Sequence, residues 1–208
     1  MEKNPTAGWL GTGVMGASMA NHLLEAGYRL SLHTRTRSKA DPLIAQGAEW
    51  ASSPAEVAER SDFVFTMLGY PHDVEEVYCQ EKGVLAGCRP NSILIDMTTS
   101  SPTLAERISR KAVQKGCHLL DAPVSGGDVG AQNGTLAIMC GGDQEAFDKA
   151  LPLLRVMGDK IELFGSSGSG QRVKMANQIL IASTMIGTVE ALLYAEKAKL
   201  DPSRVIGL

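Results

Sequence analysis

Six residues, Gly11-Thr12-Gly13-Val14-Met15-Gly16, constrain this chain more than any other feature. They stand between an apolar stub, Ala7 to Leu10, and a helical pattern from Met15 to Ala26 that Gly27 closes. Strand, glycine-rich turn and helix in that order open a dinucleotide-binding unit. Gly11 permits the tight turn, Gly13 lets backbone approach a pyrophosphate, and Gly16 lets the helix pack closely on the strand, while the helix N-terminus attracts phosphate. The same glycines would also serve close helix packing alone. The alternating strand that follows, Tyr28 to His33, favours the nucleotide.

At the end of that second strand an NAD site usually places Asp or Glu to hold the ribose 2′-hydroxyl. This sequence reads His33-Thr34-Arg35-Thr36-Arg37, with no carboxylate. Arg35, with Thr36 and Arg37 beside it, suits a 2′-phosphate, so NADP is expected ahead of NAD. A solvated basic turn would read the same way.

Downstream, the rhythm continues. Phe63 to Leu68 and Ser92 to Asp96 are short apolar runs of the kind a doubly covered parallel sheet requires. Pro54 to Arg60, capped by Ser53, and Pro102 to Lys115, closed by Gly116, read as helices. The runs Cys117 to Asp121, Leu136 to Cys140 and Ile161 to Phe164, with a helix from Gln144 to Met157, extend the expectation to one large sheet. After the small, polar segment Gly165 to Gly170, residues Gln171 to Leu200 hold no Pro and a single Gly, Gly187, which predicts one helix of about 40 Å. Asp201-Pro202-Ser203 then reads as the cap and first turn of a further helix.

Composition bounds the function. A chain of 208 residues with 44% hydrophobic and 21% charged residues and 22 glycines is globular rather than disordered or fibrous. A net charge of −3 argues against nucleic acid or an acidic membrane as partner, leaving a small molecule. Cys79, Cys88, Cys117 and Cys140 form no CxxC pair and the four histidines no HExxH, so reduced, buried thiols and no metal are expected. The first residues lack an apolar leader and no run of about 18 apolar residues occurs, which predicts a cytoplasmic protein.

Two further constellations could carry chemistry. Asp121-Ala122-Pro123-Val124-Ser125-Gly126-Gly127 follows a strand and offers a hydroxyl beside unobstructed amides, a candidate carboxylate cradle or an ordinary loop. Gly168-Ser169-Gly170-Gln171-Arg172-Val173-Lys174-Met175-Ala176-Asn177-Gln178 opens the long helix. There Lys174, Asn177 and Gln178, at i, i+3 and i+4, share one face. The apolar neighbours Val173, Met175, Ala176, Ile179 and Leu180 would desolvate the ammonium and lower its pKa. Most helical lysines are simply solvated, and a lysine near a helix start is electrostatically disfavoured.

In order and spacing these three motifs, the first extended through Ala17-Ser18-Met19-Ala20-Asn21-His22-Leu23, resemble the β-hydroxyacid dehydrogenases, the family of 3-hydroxyisobutyrate dehydrogenase, tartronate semialdehyde reductase and glyoxylate/succinic semialdehyde reductase. The resemblance spans essentially the whole chain. It implies that Lys174 is the acid/base partner of hydride transfer. Ser125 with the amides of Gly126 and Gly127 would anchor the substrate carboxylate, and Asn177 and Gln178 would orient the substrate. Thr99 is implied near the nicotinamide ribose, Met67 and Leu68 under the cofactor, and Arg35 is more like the NADP-using members. Two departures stand out: Trp9 and Thr12 replace residues that are aliphatic and Leu in many members, and most of the family's C-terminal helical domain, with its active-site lysine and aspartate, has no counterpart.

The expectation is therefore an α/β, doubly wound Rossmann-type domain over residues 1–165, followed over 166–208 by the first long helix of an all-α domain. Its function would be NADP(H)-dependent interconversion of a small hydroxy acid and a semialdehyde or 2-oxo acid, in a homo-oligomer formed through the exposed helix. The alternatives are a catalytically silent NADP-binding module and a 6-phosphogluconate dehydrogenase-like enzyme, which would want more basic phosphate ligands.

Overall fold

The computed structural model describes residues 5–207. It divides into two compact units, one ending at Lys174 and one beginning at Met175. The first opens with β1 (Thr6–Leu10), α1 (Val14–Glu25) and β2 (Arg29–His33). There follow α2 (Asp41–Ala45), β3 (Glu49–Trp50), α3 (Pro54–Glu59), β4 (Phe63–Thr66), α4 (Pro71–Cys79), α5 (Val84–Gly87), β5 (Ile93–Asp96), α6 (Pro102–Gln114) and β6 (His118–Asp121). These six strands are all parallel, in the order β3-β2-β1-β4-β5-β6. The order reverses between β1 and β4, which opens a crevice beyond their C-terminal ends.

Both faces of this sheet are buried. Along β1, Ala7 and Trp9 enter one core and Leu10 the other; Phe63 and Phe65 of β4 part from Val64 in the same way, and Ile93 and Ile95 of β5 from Leu94. Successive side chains point to opposite faces, so a sheet covered twice reads as continuous apolar runs. The first core is covered by Met19, Ala20 and Leu23 of α1, the second by Leu104, Ile108 and Ala112 of α6. Ser53 caps α3 as expected, its hydroxyl accepting from the Glu56 amide at 3.2 Å.

The expectation of one large sheet is corrected. β7 (Val124–Ser125), β8 (Leu136–Cys140) and β9 (Gly158–Leu163), with α7 (Gly127–Asn133) and α8 (Gln144–Leu154) between them, build a second, three-stranded sheet. In it β7 is antiparallel to β8 and β8 parallel to β9. The cause is local. Pro123 has no N–H to extend the parallel ladder, and Gly126 and Gly127 take φ values of 136° and 63°, turning the chain onto β8. A bridge between Asp121 and Gly141 links the two sheets. α2, β3, α4, α5, β7 and α7 have no counterpart among the elements predicted by residue: β3 and β7 are strands of two residues, α2 and α5 helices of five and four, and α7 has no apolar period. Smaller shifts put Met67 and Leu68 beyond the end of β4, end α8 at Leu154 and begin β9 at Gly158.

The predicted long helix is α9 (Ser169–Lys197), ended by Lys199 at φ 59°, and Asp201 caps α10 (Pro202–Ile206) by accepting from the Ser203 amide at 2.9 Å. Beyond Met175, Ile179, Leu180, Met185, Ile186 and Leu193 of α9 are exposed. The Thr184 and Thr188 hydroxyls donate back to the carbonyls of Leu180 and Thr184 at 2.9 and 2.8 Å, so these polar residues satisfy themselves within the helix. The average hydropathy of α9 is a different quantity from the unbroken apolar run sought in the sequence. No unbroken apolar run exists, yet small hydroxyl residues barely lower the average, and α9 reaches a mean hydropathy of 1.4 over 18 residues, enough by length and composition alone.

Candidate functional site

A cleft of about 670 Å³ lies at the C-terminal ends of β1, β2 and β4 and gathers all of Gly11 to Gly16, then Thr34 to Thr36, and Met67 with Leu68. The turn at its centre is tightly built. Gly11 has φ 95°, and a Cβ there would stand 2.3 Å from the Met67 carbonyl oxygen; a Cβ on Gly16 would stand 2.1 Å from the Gly11 oxygen. A Cβ on Gly13 meets nothing within 4 Å. Helix α1 starts there with no side-chain cap and no acidic residue in its first turn, so its amides face the cleft unpaired by side chains. Thr12 is buried, and its hydroxyl has no hydrogen-bond partner among the described residues. Open space at Gly13, an uncapped helix start and an orphaned hydroxyl fit the phosphates of a dinucleotide.

At the adenosine end, Arg35 and Arg37 part company. Arg37 lies over the Trp50 ring at 4.5 Å and pairs with Asp41 at 2.5 Å, outside the cleft. Arg35 lines the cleft with 93% of its side chain exposed, 3.7 Å from Asp73. Lys39 is the other basic residue of the lining besides the histidines.

Beneath the cleft runs a buried polar chain. Thr66 donates to Asp96 Oδ1 at 2.8 Å, the Thr98 amide donates to the same oxygen at 3.1 Å, and the Tyr78 hydroxyl lies 3.2 Å from Thr66 Oγ1. Thr66 gives its one proton to Asp96, so Tyr78 must donate to Thr66. Burial pushes the Asp96 carboxyl up to about 6, against the pull of these donors. Thr98 Oγ1 accepts from the Leu68 amide at 2.9 Å and so holds the loop after β4. Thr99 is exposed and lies outside the lining of the cleft; its neighbour Thr98 is the buried one.

The second predicted locus forms where β6 ends. Asp121 is buried, and its carboxylate accepts from the Gly168 amide at 2.6 Å and the Gln171 amide at 2.9 Å. One acid thus serves two amides at the start of α9, a task usually divided between two residues of the helix itself. Burial nevertheless pushes the Asp121 carboxyl above its ordinary range. Four residues on, Ser125 ends β7, and Gly126 and Gly127 begin α7, also without a side-chain cap, although Asp128 puts a negative charge in its first turn.

Lys174 follows one turn after Gly170 on α9 and is only 7% exposed. Burial lowers its pKa from the ordinary lysine value. Of the apolar neighbours expected to bury it, Val173 is half-buried. The flanking Met175, Ile179 and Leu180 are 49%, 67% and 66% exposed and cover little. Asn177 and Gln178 lie three and four residues further along α9, in the second unit.

Residues 6–165 match the NAD binding domain of 6-phosphogluconate dehydrogenase, and residues 168–208 match the NAD-binding family of NADP-dependent 3-hydroxyisobutyrate dehydrogenase. An uncharacterized oxidoreductase of Bacillus subtilis is 49% identical over 201 residues, 97% of this chain and 70% of its own length. The chain belongs to the β-hydroxyacid dehydrogenase family. Within it, the 2-hydroxy-3-oxopropionate reductase of Escherichia coli is 41% identical, covering 95% of this chain and 68% of the reductase. The 3-hydroxyisobutyrate dehydrogenase of Mycobacterium tuberculosis, solved with L-serine, superposes with a TM-score of 0.89 at 37% identity, over 95% of this chain and 67% of that one. Residues 6–165, which contain the crevice at the strand-order reversal, are therefore the NAD(P)-binding domain of a β-hydroxyacid dehydrogenase-family chain.

Three features with clear local chemistry went unassigned in the sequence. Trp9 donates its indole N–H to the Gly11 carbonyl at 2.9 Å and stacks on Phe65 at 5.5 Å. Asp121 and Gln171 anchor α9. The signal for Gln171 was available, since it stands three residues before Lys174 and so on the same helical face.

Proposed function

We propose that this chain acts in NADP(H)-dependent interconversion of a small carboxylate-bearing semialdehyde or 2-oxo acid with its hydroxy acid. When bound, the nicotinamide supplies or accepts the hydride. Lys174 gives a proton to the carbonyl oxygen in reduction and takes it back in oxidation. Ser125 and the amides of Gly126 and Gly127 hold the substrate carboxylate, Asn177 and Gln178 orient the substrate, and Arg35 with Thr34 and Thr36 holds the 2′-phosphate. Thr99, Met67 and Leu68 serve the nicotinamide end. The observation that carries this reading is Lys174 itself, a lysine buried near the start of a helix, where an ammonium gains nothing from the helix dipole and loses water. Such a group exchanges its proton more readily than a solvated lysine.

The exposed apolar residues of α9 favour self-association, so a homo-oligomer is part of the reading. The cytoplasm is its compartment, with neither nucleic acid nor a membrane as partner. A fluorescence titration with NADPH and NADH, followed by glyoxylate and succinic semialdehyde in the same cuvette, tests the whole. Tighter binding of NADPH and substrate-dependent loss of the nicotinamide signal are expected. Binding without turnover would reduce the chain to a silent nucleotide-binding module, and binding of neither nucleotide would remove the cofactor assignment.

A further inference from the structure

We propose that Gln171 is a positioning residue that sets the nicotinamide end of the cleft at a fixed distance from Lys174. The inference rests on the proposed function for the roles of Lys174 and of the 98–100 loop, but its geometry stands apart. The Gln171 side chain is 0% exposed. Its Nε2 donates to the Thr98 carbonyl at 2.8 Å, and its Oε1 accepts from the Ser100 amide at 2.8 Å. Both ends of one amide are thus bonded to the main chain of a single loop. The backbone N–H of the same residue donates to Asp121 at 2.9 Å, fixing the helix turn from which the side chain reaches out.

Follow the bonds outward from that amide. Thr98 accepts from the Leu68 amide and donates its own amide to Asp96, so the loop gripped by Gln171 also grips the floor of the dinucleotide cleft. In the other direction, Gln171 and Lys174 stand at i and i+3 on α9 and share a face. One buried side chain therefore ties the element beside the nucleotide to the element that carries the proton. A filler of the same shape would occupy the space but leave the Thr98 carbonyl and the Ser100 amide without these partners. Proton transfer needs its donor within hydrogen-bond reach of the reacting oxygen, so a small slip between the two elements is costly.

Gln171→Met keeps the bulk and helix propensity and removes both bonds; should it fail to fold, Gln171→Asn keeps the amide but is one methylene too short to span both partners. With the variant we expect NADPH affinity within about threefold of the wild type and kcat lower by roughly 10- to 100-fold, the scale of an ångström-sized misplacement. The Lys174 pKa, read by NMR of carbon-13 at lysine Cε, moves in the same variant, and the Ser100 amide exchanges faster. Faster exchange with kcat and Lys174 titration unchanged would overturn the proposal and leave Gln171 a packing residue. A kcat loss matched by an equal loss of NADPH affinity would also overturn it. If the wild-type chain itself shows no turnover, the proposed function fails, and the Lys174 titration alone decides the positioning role: a shift in the variant sustains it and no shift ends it.

Discussion

The indole N–H of Trp9 and the carbonyl of Gly11 are joined at 2.9 Å, so a fully buried core residue holds the shape of the dinucleotide turn. Trp9→Phe keeps the stack on Phe65 and loses the bond. It should lower unfolding free energy by about 1–3 kcal/mol, the sum of a lost hydrogen bond and a modest cavity, and weaken NADPH binding severalfold. Urea unfolding and a fluorescence titration measure the two; an unchanged affinity would show that the turn keeps its shape without the indole.

Gly13 and Gly16 separate binding from folding. Gly16→Ala drives a Cβ to 2.1 Å from backbone, so its thermal midpoint should fall along with its binding. Gly13→Ala meets open space. Its midpoint should stay within a few degrees of wild type while NADPH affinity falls roughly tenfold or more, because the methyl takes the room a pyrophosphate needs. A Gly13→Ala protein that binds normally would move the phosphate site elsewhere.

Asp96 makes stability depend on pH in a stated direction. Its carboxyl titrates at about 6 when folded against an ordinary 3.8, so the folded state holds the proton more tightly. Its contribution is fully present below about 4 and is lost as pH rises through 6, at a cost of about 3 kcal/mol. Asp96→Asn keeps an oxygen for Thr66 and the Thr98 amide. The variant should be more stable than wild type at pH 8 and lose that advantage by pH 4, as read by denaturant midpoints across the range.

Lys174 gives the corresponding kinetic prediction. In the proposed role reduction uses its protonated form, so the reductive rate should fall as pH rises through a pKa below the ordinary 10.5, and the oxidative rate should rise through the same value. Lys174→Ala should cost roughly 10²- to 10⁴-fold in turnover with little change in NADPH affinity. Full activity in that variant would refute the assignment.

The proposed contact of Arg35 with a 2′-phosphate separates the two nucleotides. With Arg37 held by Trp50 and Asp41, Arg35→Ala should weaken NADPH by about tenfold, one charge-assisted contact, and leave NADH alone. Equal effects on both nucleotides, in paired titrations, would exclude a contact to the 2′-phosphate.

The dinucleotide half of the molecule was legible because its signals are local. A glycine turn between a strand and a helix is spelled out in consecutive residues, and a sheet buried on both faces writes itself as apolar runs. The split at Asp121 was not. It depends on Pro123 and two left-handed glycines choosing β8 as partner across a dozen residues, a non-local pairing that periodicity does not register. The burial of Lys174 was foreseen, although three of the apolar neighbours expected to provide it, Met175, Ile179 and Leu180, are exposed. Where a polar side chain such as Gln171 finds both partners in a distant loop, nothing adjacent in the chain announces it.

The bare start of α1 carries one more consequence. A bound pyrophosphate would supply the cap that no side chain provides, so occupancy of the cleft and integrity of the fold become linked quantities. Nucleotide at about a hundred times its dissociation constant adds about 2.7 kcal/mol to the folded state, a sizeable share of what keeps any domain folded. The supply of nicotinamide nucleotide would then act on the amount of folded protein as well as on the occupancy of its cleft.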